Sequence, residues 1–262
     1  MFSFQSIGSG SSGNSYYLQT DAGALMIDAG VAIRKLRKQM HEYGLSVGRL
    51  AGVLVTHHHI DHTRSLGILN QKDGLHIYMT EKTKNGIMYN PSITKKPSAE
   101  RTTIIRQAEP FALLDMQITP FDVPHDSKDN TGFLICHGST RLCIVTDGGH
   151  WTEEVERYVS QATHLVLESN YDPEMLAHGP YPVMLQNRIR NGNGHLSNQQ
   201  AAEVIRRHCH HLSNIWLCHL SEKNNTPQLA MQAATEALAA AGGNAGLVAL
   251  DREKPSRQYD LE

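Results

Sequence analysis

Between residues 56 and 62 the chain reads Thr56-His57-His58-His59-Ile60-Asp61-His62, and His57, His59, Asp61 and His62 can each offer a lone pair to a divalent cation. Neutral imidazole and carboxylate are the donors that zinc and its first-row neighbours accept. The stretch follows Leu50-Ala51-Gly52-Val53-Leu54-Val55, an apolar run of buried-strand length. The donors therefore crowd the loop at a strand's C-terminal end, where open α/β sheets usually form ligand sites. Alternation along an extended turn lets His57 and His59 reach one metal while Asp61 and His62 turn towards a second. The competing reading is a surface histidine cluster or an expression tag. A tag would sit at a terminus, without Ile60-Asp61 in its midst or an apolar strand ahead of it.

The His-x-His-x-Asp-His form is similar to the signature of the metallo-β-lactamase superfamily, and that family's other landmarks can be found in order. Leu25-Met26-Ile27 leads to Asp28, and Phe121-Asp122-Val123-Pro124 to His125. The run from Leu142 to Thr146 ends at Asp147, and Ile215-Trp216-Leu217-Cys218 delivers His219. A closer resemblance lies in Gly8-Ser9-Gly10-Ser11-Ser12-Gly13-Asn14-Ser15, Leu167-Glu168-Ser169-Asn170, Gly194-His195-Leu196-Ser197-Asn198 and His219-Leu220-Ser221-Glu222-Lys223-Asn224-Asn225. These look like the bacterial YycJ/WalJ-type single-domain exonucleases, over nearly the whole chain.

That resemblance implies an α/β fold, the αββα sandwich of two mixed sheets with helices on their outer faces. It implies a metal-dependent phosphodiesterase, a 5′–3′ DNA exonuclease using a metal-activated hydroxide. By the superfamily pattern His57, His59 and His125 would hold one divalent ion and Asp61, His62 and His219 the other, with Asp147 bridging both. Asp61 is counted with the catalytic residues as well as the ligands. An all-His/Asp shell leaves zinc, manganese or iron open. Asp28 is better placed to orient a ligand's N–H than to bind metal itself. Two departures from the pattern stand out. His58 occupies a position where an acidic residue is common, and Asp147 is followed by Gly148-Gly149-His150 instead of bulkier residues. Neither removes a ligand, although His150 could alter access.

His195 sits after Gly192-Asn193-Gly194 and just ahead of a helix start. A leaving alkoxide needs a proton, and an imidazole can donate one near neutral pH. Related phosphodiesterases use a His in a similar place, as acid or phosphate grip; the alternative is a His at a helix start bonded to backbone. Glu168 is either a buried carboxylate supporting the ligands or a plain strand-end residue. Ser12, Asn14 and Ser15 either contact substrate or make an ordinary turn. His41, His76, His164, His178, His208, His210 and His211 are taken as surface or core histidines.

The elements that must position these residues follow from periodicity. Residues 2–7 and 15–18 read as a hairpin, 24–27 as a strand ending at Asp28, and 75–79, 116–123, 132–136 and 141–145 as further strands. Ile33, Leu36, Met40 and Tyr43 recur at helical spacing, with Arg34, Lys35, Arg37 and Lys38 on a solvated face. Further helices are expected over 63–70, 153–158, from Ser197 with a capping box, and from Thr226-Pro227 to Gly242-Gly243. Strands over 165–167 and 215–218 complete a return half. No linker or composition shift divides the chain, which reads as one domain of residues 1–262.

Composition bounds the function class. With 40% hydrophobic and 19% charged residues the chain is a globular protein with an ample core. A net charge of −2 supplies no global field to attract a polyanion, so nucleic-acid binding must use a local basic patch. Lys95, Lys96, Arg188 and Arg190 are the sequence candidates. Four cysteines without C-x-x-C spacing, no signal-like start and no membrane-length apolar run point to a cytoplasmic protein without membrane contact. DNA is the expected partner; oligomeric state is left open. Two other functions are weighed: another hydrolase of this scaffold, cleaving a thioester, lactone or β-lactam, and a non-enzymatic metal-binding regulator. The first has less need of an acid such as His195, and the second would carry a degraded ligand set.

Overall fold

The computed structural model describes the backbone of residues 1–262 and every side chain except that of Asn193. In chain order the strands are β1 (Phe2–Gly8), β2 (Ser15–Thr20), β3 (Ala24–Ile27), β4 (Leu50–Leu54), β5 (His76–Met79), β6 (Thr102–Ile104) and β7 (Phe111–Leu113). They continue as β8 (Met116–Asp122), β9 (Thr131–His137), β10 (Thr140–Val145), β11 (His164–Glu168), β12 (Asn214–Cys218), β13 (Gly246–Ala249) and β14 (Tyr259–Asp260). Two seven-stranded sheets result, ordered β14-β1-β2-β3-β4-β5-β6 and β13-β12-β11-β10-β9-β8-β7. Both are mixed in the same way: antiparallel hairpins lead into a parallel set, β3 to β6 in one sheet and β10 to β13 in the other.

The chain forms two compact units, residues 1–120, 127–131 and 251–262 in the first and 121–126 and 132–250 in the second. In the first, helix Ile33–Glu42 contributes Leu36 and Met40 to one core with Met26, Val53, Ile77 and Met79. In the second, Val155 and Val159 of helix Glu153–Val159 and Ala201, Val204 and Ile205 of helix Asn198–His208 cover Cys143, Val145, Leu165, Leu167, Ile215 and Leu217. Alternate strand residues point to one face, so each core takes every second side chain. The expected capping box is present: Ser197 Oγ accepts from Gln200 N and Gln200 Oε1 accepts from Ser197 N. Thr226 Oγ1 accepts from Leu229 N at the start of Pro227–Ala240, a cap without the reciprocal bond. Among the described residues no helix is long and apolar enough to cross a membrane.

Three differences from the sequence reading have physical causes. The helix expected over 63–70 is two, Ile60–Thr63 and Leu66–Lys72. It breaks because the ladder partners are used elsewhere: Asp61 O accepts from Asn14 N at 2.7 Å and Ser65 N donates to Ala29 O at 2.8 Å. Residues 169–194, left without elements, carry helices Pro173–His178 and Val183–Arg188 and a π-turn over Ile189–Asn193, too short for periodicity to reveal. The two-residue β14 and three-residue β6 and β7 escape notice for the same reason.

Close backbone approach holds the first donor loop in place. A Cβ on Gly30 would lie 1.5 Å from Asp61 O, and one on Gly13 2.7 Å from the Gly30 carbonyl. Gly30→Ala must therefore push the donor loop aside, a backbone overlap expected to cost at least the ~1–3 kcal/mol of ordinary overpacking. Denaturant unfolding should show that loss, whereas Gly74→Ala, strained only by its φ of 73° with nothing within 4 Å, should cost less. Equal losses would mean that loop contact at Gly30 is not the constraint.

Candidate metal centre

Three of the five non-glycine residues with positive φ are Asp28 (57°), Asp147 (56°) and His219 (53°). Each is the residue reached as the parallel strand β3, β10 or β12 ends, with Thr146 intervening in the second case. The left-handed conformation costs an L-residue on the order of 1–2 kcal/mol, and Asp and His are among the residue types that enter it most readily. Backbone strain of this kind collects at functional sites.

In the first unit Asp28 is wholly buried and its two oxygens face three donors. Thr56 N donates to Oδ1 at 2.8 Å; Thr56 Oγ1 at 2.8 Å and His62 Nδ1 at 2.6 Å donate to Oδ2. Burial pushes the carboxyl above its usual range, against the pull of His62 and the donor bonds. Because Thr56 gives its one proton to Asp28, its oxygen accepts from His57 Nδ1 at 3.0 Å. Both His57 and His62 thus keep their protons on Nδ1 and their lone pairs on Nε2. Asn14 Nδ2 donates to His62 Nε2 at 2.9 Å, His57 Nε2 lies 3.0 Å from His59 Nδ1, and Asp61 Oδ2 lies 3.6 Å from His62 Nε2.

In the second unit the organising group is Glu168, also wholly buried, at the end of β11. Its Oε2 accepts from the backbone amides of Gly148 and Leu196, both at 2.9 Å. Its Oε1 accepts from His195 Nδ1 at 2.8 Å and His219 Nδ1 at 2.9 Å. One carboxylate therefore orients two imidazoles and ties down the residues following Asp147 and His195. Burial opposes the charged forms, but the mutual attraction prevails: Glu168 is held below its usual range and His195 above its own. Asp147 Oδ1 lies 3.3 Å from His219 Nδ1 and 3.8 Å from His195 Nδ1. His125 donates from Nδ1 to Gly194 O at 2.8 Å, and its Nε2 lies 3.2 Å from Asp126 Oδ1 and 3.9 Å from Asp147 Oδ1. Burial, the largest influence on His125, depresses its pKa and favours the neutral, metal-binding ring.

The donor chemistry fits divalent ions. His57, His62, His125 and His219 each have Nδ1 bound to an oxygen, which is how metal-binding imidazoles are usually steered and their Nε2 lone pairs presented. Asp147, Glu168, His195 and His219 have potential ligand atoms within 4.8 Å of one another. Glu168 is the poorest ligand of these, since four N–H groups already occupy its oxygens.

The sequence-nominated donors divide between the two units. The first unit gathers Asp28, His57, His59, Asp61 and His62; the second gathers His125, Asp147, Glu168, His195 and His219. Ser12 is exposed, whereas Asn14 and Ser15 are fully buried. Ser15 Oγ donates to Asn14 O at 2.7 Å and accepts from Val31 N at 3.4 Å, which braces the glycine-rich loop. His58 packs on helix Glu81–Tyr89, where a Cβ on Gly86 would come within 2.5 Å of its Cγ. His150 is exposed and donates from Nδ1 to Gly192 O at 2.5 Å. Lys96 is not a free basic contact, because Nζ donates to Ile87 O at 2.6 Å and Asn90 O at 2.5 Å. Arg37 pairs with Asp73 at 2.7 Å, as a solvated face would. Sequence reasoning missed Asn170, whose Nδ2 donates to His219 O at 2.7 Å, and Asp126; their adjacency to Glu168 and His125 was the available signal.

Glu168→Ala should release both rings at once. In ¹⁵N-histidine spectra of the wild type, the Nδ1 protons of His195 and His219 should be strongly downfield, and the variant should lose both signals. Survival of either would show that Glu168 does not set that ring's tautomer.

A model of the beta-lactamase superfamily domain matches residues 24–213. The chain is 32% identical over 247 residues to "Exodeoxyribonuclease WalJ" of Streptococcus pneumoniae, covering 94% of this chain and 91% of that protein. It is 31% identical over 247 residues to "Exodeoxyribonuclease YycJ" of Bacillus anthracis, covering 93% and 91%. Among solved structures it resembles the metallo-beta-lactamase fold protein YhfI from Bacillus subtilis, with a TM-score of 0.73 and 16% identity over 98% of this chain and 99% of that one. The two mixed seven-stranded sheets with their helices are thus the metallo-β-lactamase fold.

Proposed function

We propose that this chain, which belongs to the beta-lactamase superfamily and within it to the WalJ/YycJ exodeoxyribonuclease group, is a metal-dependent phosphodiesterase that removes nucleotides from DNA ends in the 5′–3′ direction. The two compact units are read as one catalytic domain, since the family match runs through both and the chain passes between them four times. His57, His59 and His125 would hold one divalent ion, Asp61, His62 and His219 the other, and Asp147 both. The superfamily's order of ligands along the chain supports this division. Zinc, manganese and iron all suit such a shell. When bound, two such ions polarise a phosphoryl oxygen and lower the pKa of an attacking water.

The protein's own contribution is orientation and proton supply. Asp28 and Thr56 hold His62 and His57 in single tautomers, and Glu168 does the same for His219. His195 is the proposed general acid. Its Nδ1 is fixed by Glu168 at 2.8 Å, which leaves Nε2–H of the protonated ring to donate to the leaving oxygen. That bond is the observation that carries the reading, because a neighbouring carboxylate keeps His195 protonated to higher pH, as an acid requires. A cytoplasmic setting is part of the proposal, supported by four cysteines that are all free thiols.

The test uses manganese-loaded protein on 5′- and 3′-end-labelled single- and double-stranded DNA, beside a cephalosporin and a thioester. Stepwise shortening of DNA, with the 5′ label released first, is expected. Turnover of the cephalosporin or thioester without DNA loss would overturn the nuclease assignment. His195→Ala should slow DNA cleavage roughly 10²–10⁴-fold, the usual worth of a general acid, yet slow a nitrophenyl phosphodiester far less, since nitrophenolate leaves without a proton. Equal losses on both substrates would remove His195 from that role.

A further inference from the structure

Helix Val183–Arg188 is built the wrong way round for a surface helix. Its polar Gln186 is buried, and Leu185 and the following Ile189 pack with Tyr171, Leu176 and Tyr181. The opposite face offers Val183, 69% exposed, and Met184, 86% exposed, together with Asn187 and Arg188. Met184 and Arg188 are four residues apart and so lie on one face, about 6 Å along the axis. Isolated exposed apolar residues need no explanation, but this pair is joined to the candidate centre by a short chain of contacts. Arg188 Nε donates to Asp126 Oδ2 at 2.5 Å, a terminal guanidinium nitrogen reaches the same oxygen, and Asp126 Oδ1 is 3.2 Å from His125 Nε2. The helix end is fixed on its other side as well: the π-turn that follows it is held by His150 at Gly192 and leads into Gly194, whose carbonyl anchors His125.

We infer that this face grips the DNA strand end, with Arg188 taking a backbone phosphate and Val183 and Met184 packing against a base. The assignment rests on the nuclease reading above and deepens it. Asp126 uses two guanidinium donors of Arg188, a side chain 59% exposed, and the remaining donors can meet an anion. A strand of nucleic acid presents that combination, alternating phosphate charge with apolar base faces. Single-strand-binding surfaces pair a cationic contact with aromatic side chains on which bases stack without sequence readout; here the aliphatic Val183 and Met184 would supply the apolar contact instead. The overall charge of −2 makes such a local patch necessary.

The experiment compares metal-loaded wild type with Val183→Ser/Met184→Ser and Arg188→Gln. Binding of a nuclease-resistant phosphorothioate single strand is read by anisotropy, and cleavage of natural DNA is read against bis(p-nitrophenyl) phosphate. The double variant should bind the strand about tenfold more weakly, and the ratio of DNA to small-substrate rates should fall by a similar factor. Arg188→Gln should in addition flatten the salt dependence by about one phosphate contact. Unchanged affinity and ratio in both variants, with wild-type DNA cleavage intact, would overturn this assignment alone. A change in sedimentation without a change in DNA affinity would also overturn it, by making the face a contact between copies. A wild type that neither binds nor cuts DNA would sink the nuclease reading and this inference together.

Discussion

Two wholly buried carboxylates, Asp28 and Glu168, set the terms for the rest of the candidate centre. An ionised carboxylate removed from water costs several kcal/mol unless donors replace its hydration. Both are surrounded by N–H or O–H groups, and in both cases some of those donors are imidazole Nδ1 atoms. Satisfying the carboxylate and choosing the histidine tautomer are therefore one event. A ring whose Nδ1 proton is committed must present Nε2 as a lone pair, or as the one remaining proton when the ring is charged. Under the proposed function, the same bond would prepare His62 and His219 to bind a metal and His195 to supply a proton.

Strand ends deliver these groups at a conformational cost. Parallel strands align their C-terminal ends, so residues following β3 and β4, or β10, β11 and β12, emerge side by side. Turning Asp28, Asp147 and His219 out of extended geometry demands positive φ at each. Hydrogen bonds within the loops offset that strain: Asp28 N donates to Leu54 O, and Gly30 N donates to Asn14 O. The glycine-rich segment before β2 belongs to the same arrangement, since its backbone, through Asn14, accepts from one donor loop and donates to the other. A side chain at Gly13 or Gly30 would close the space in which the loops meet.

What could be read in the sequence was local. The His57–His62 cluster, the strand-end positions of Asp28 and His219, the caps at Ser197 and Thr226, and the solvated face around Arg37 each depend on residues within one element or turn. The division of ligands between two ions came from family resemblance. What could not be read depends on partners distant in the chain. Glu168 bonds rings 27 and 51 residues away, and Asn14 reaches His62 across 48 residues. The helix break at residues 64 and 65 likewise follows from carbonyl and amide partners in other loops. Lys96 looked available because the sequence does not reveal the helix-end carbonyls it covers. Short helices such as Val183–Arg188 hide because one and a half turns hold too few apolar positions to establish a period.

The proposed centre stands or falls on metal stoichiometry. Metal-stripped protein should be reloaded with manganese or zinc, freed of excess ion and analysed for metal per chain, alongside Asp147→Ala treated identically. Two equivalents are expected in the wild type and clear loss of metal in the variant, whose shared carboxylate is gone. Two equivalents retained by Asp147→Ala, or a wild type that holds fewer than two, would contradict it.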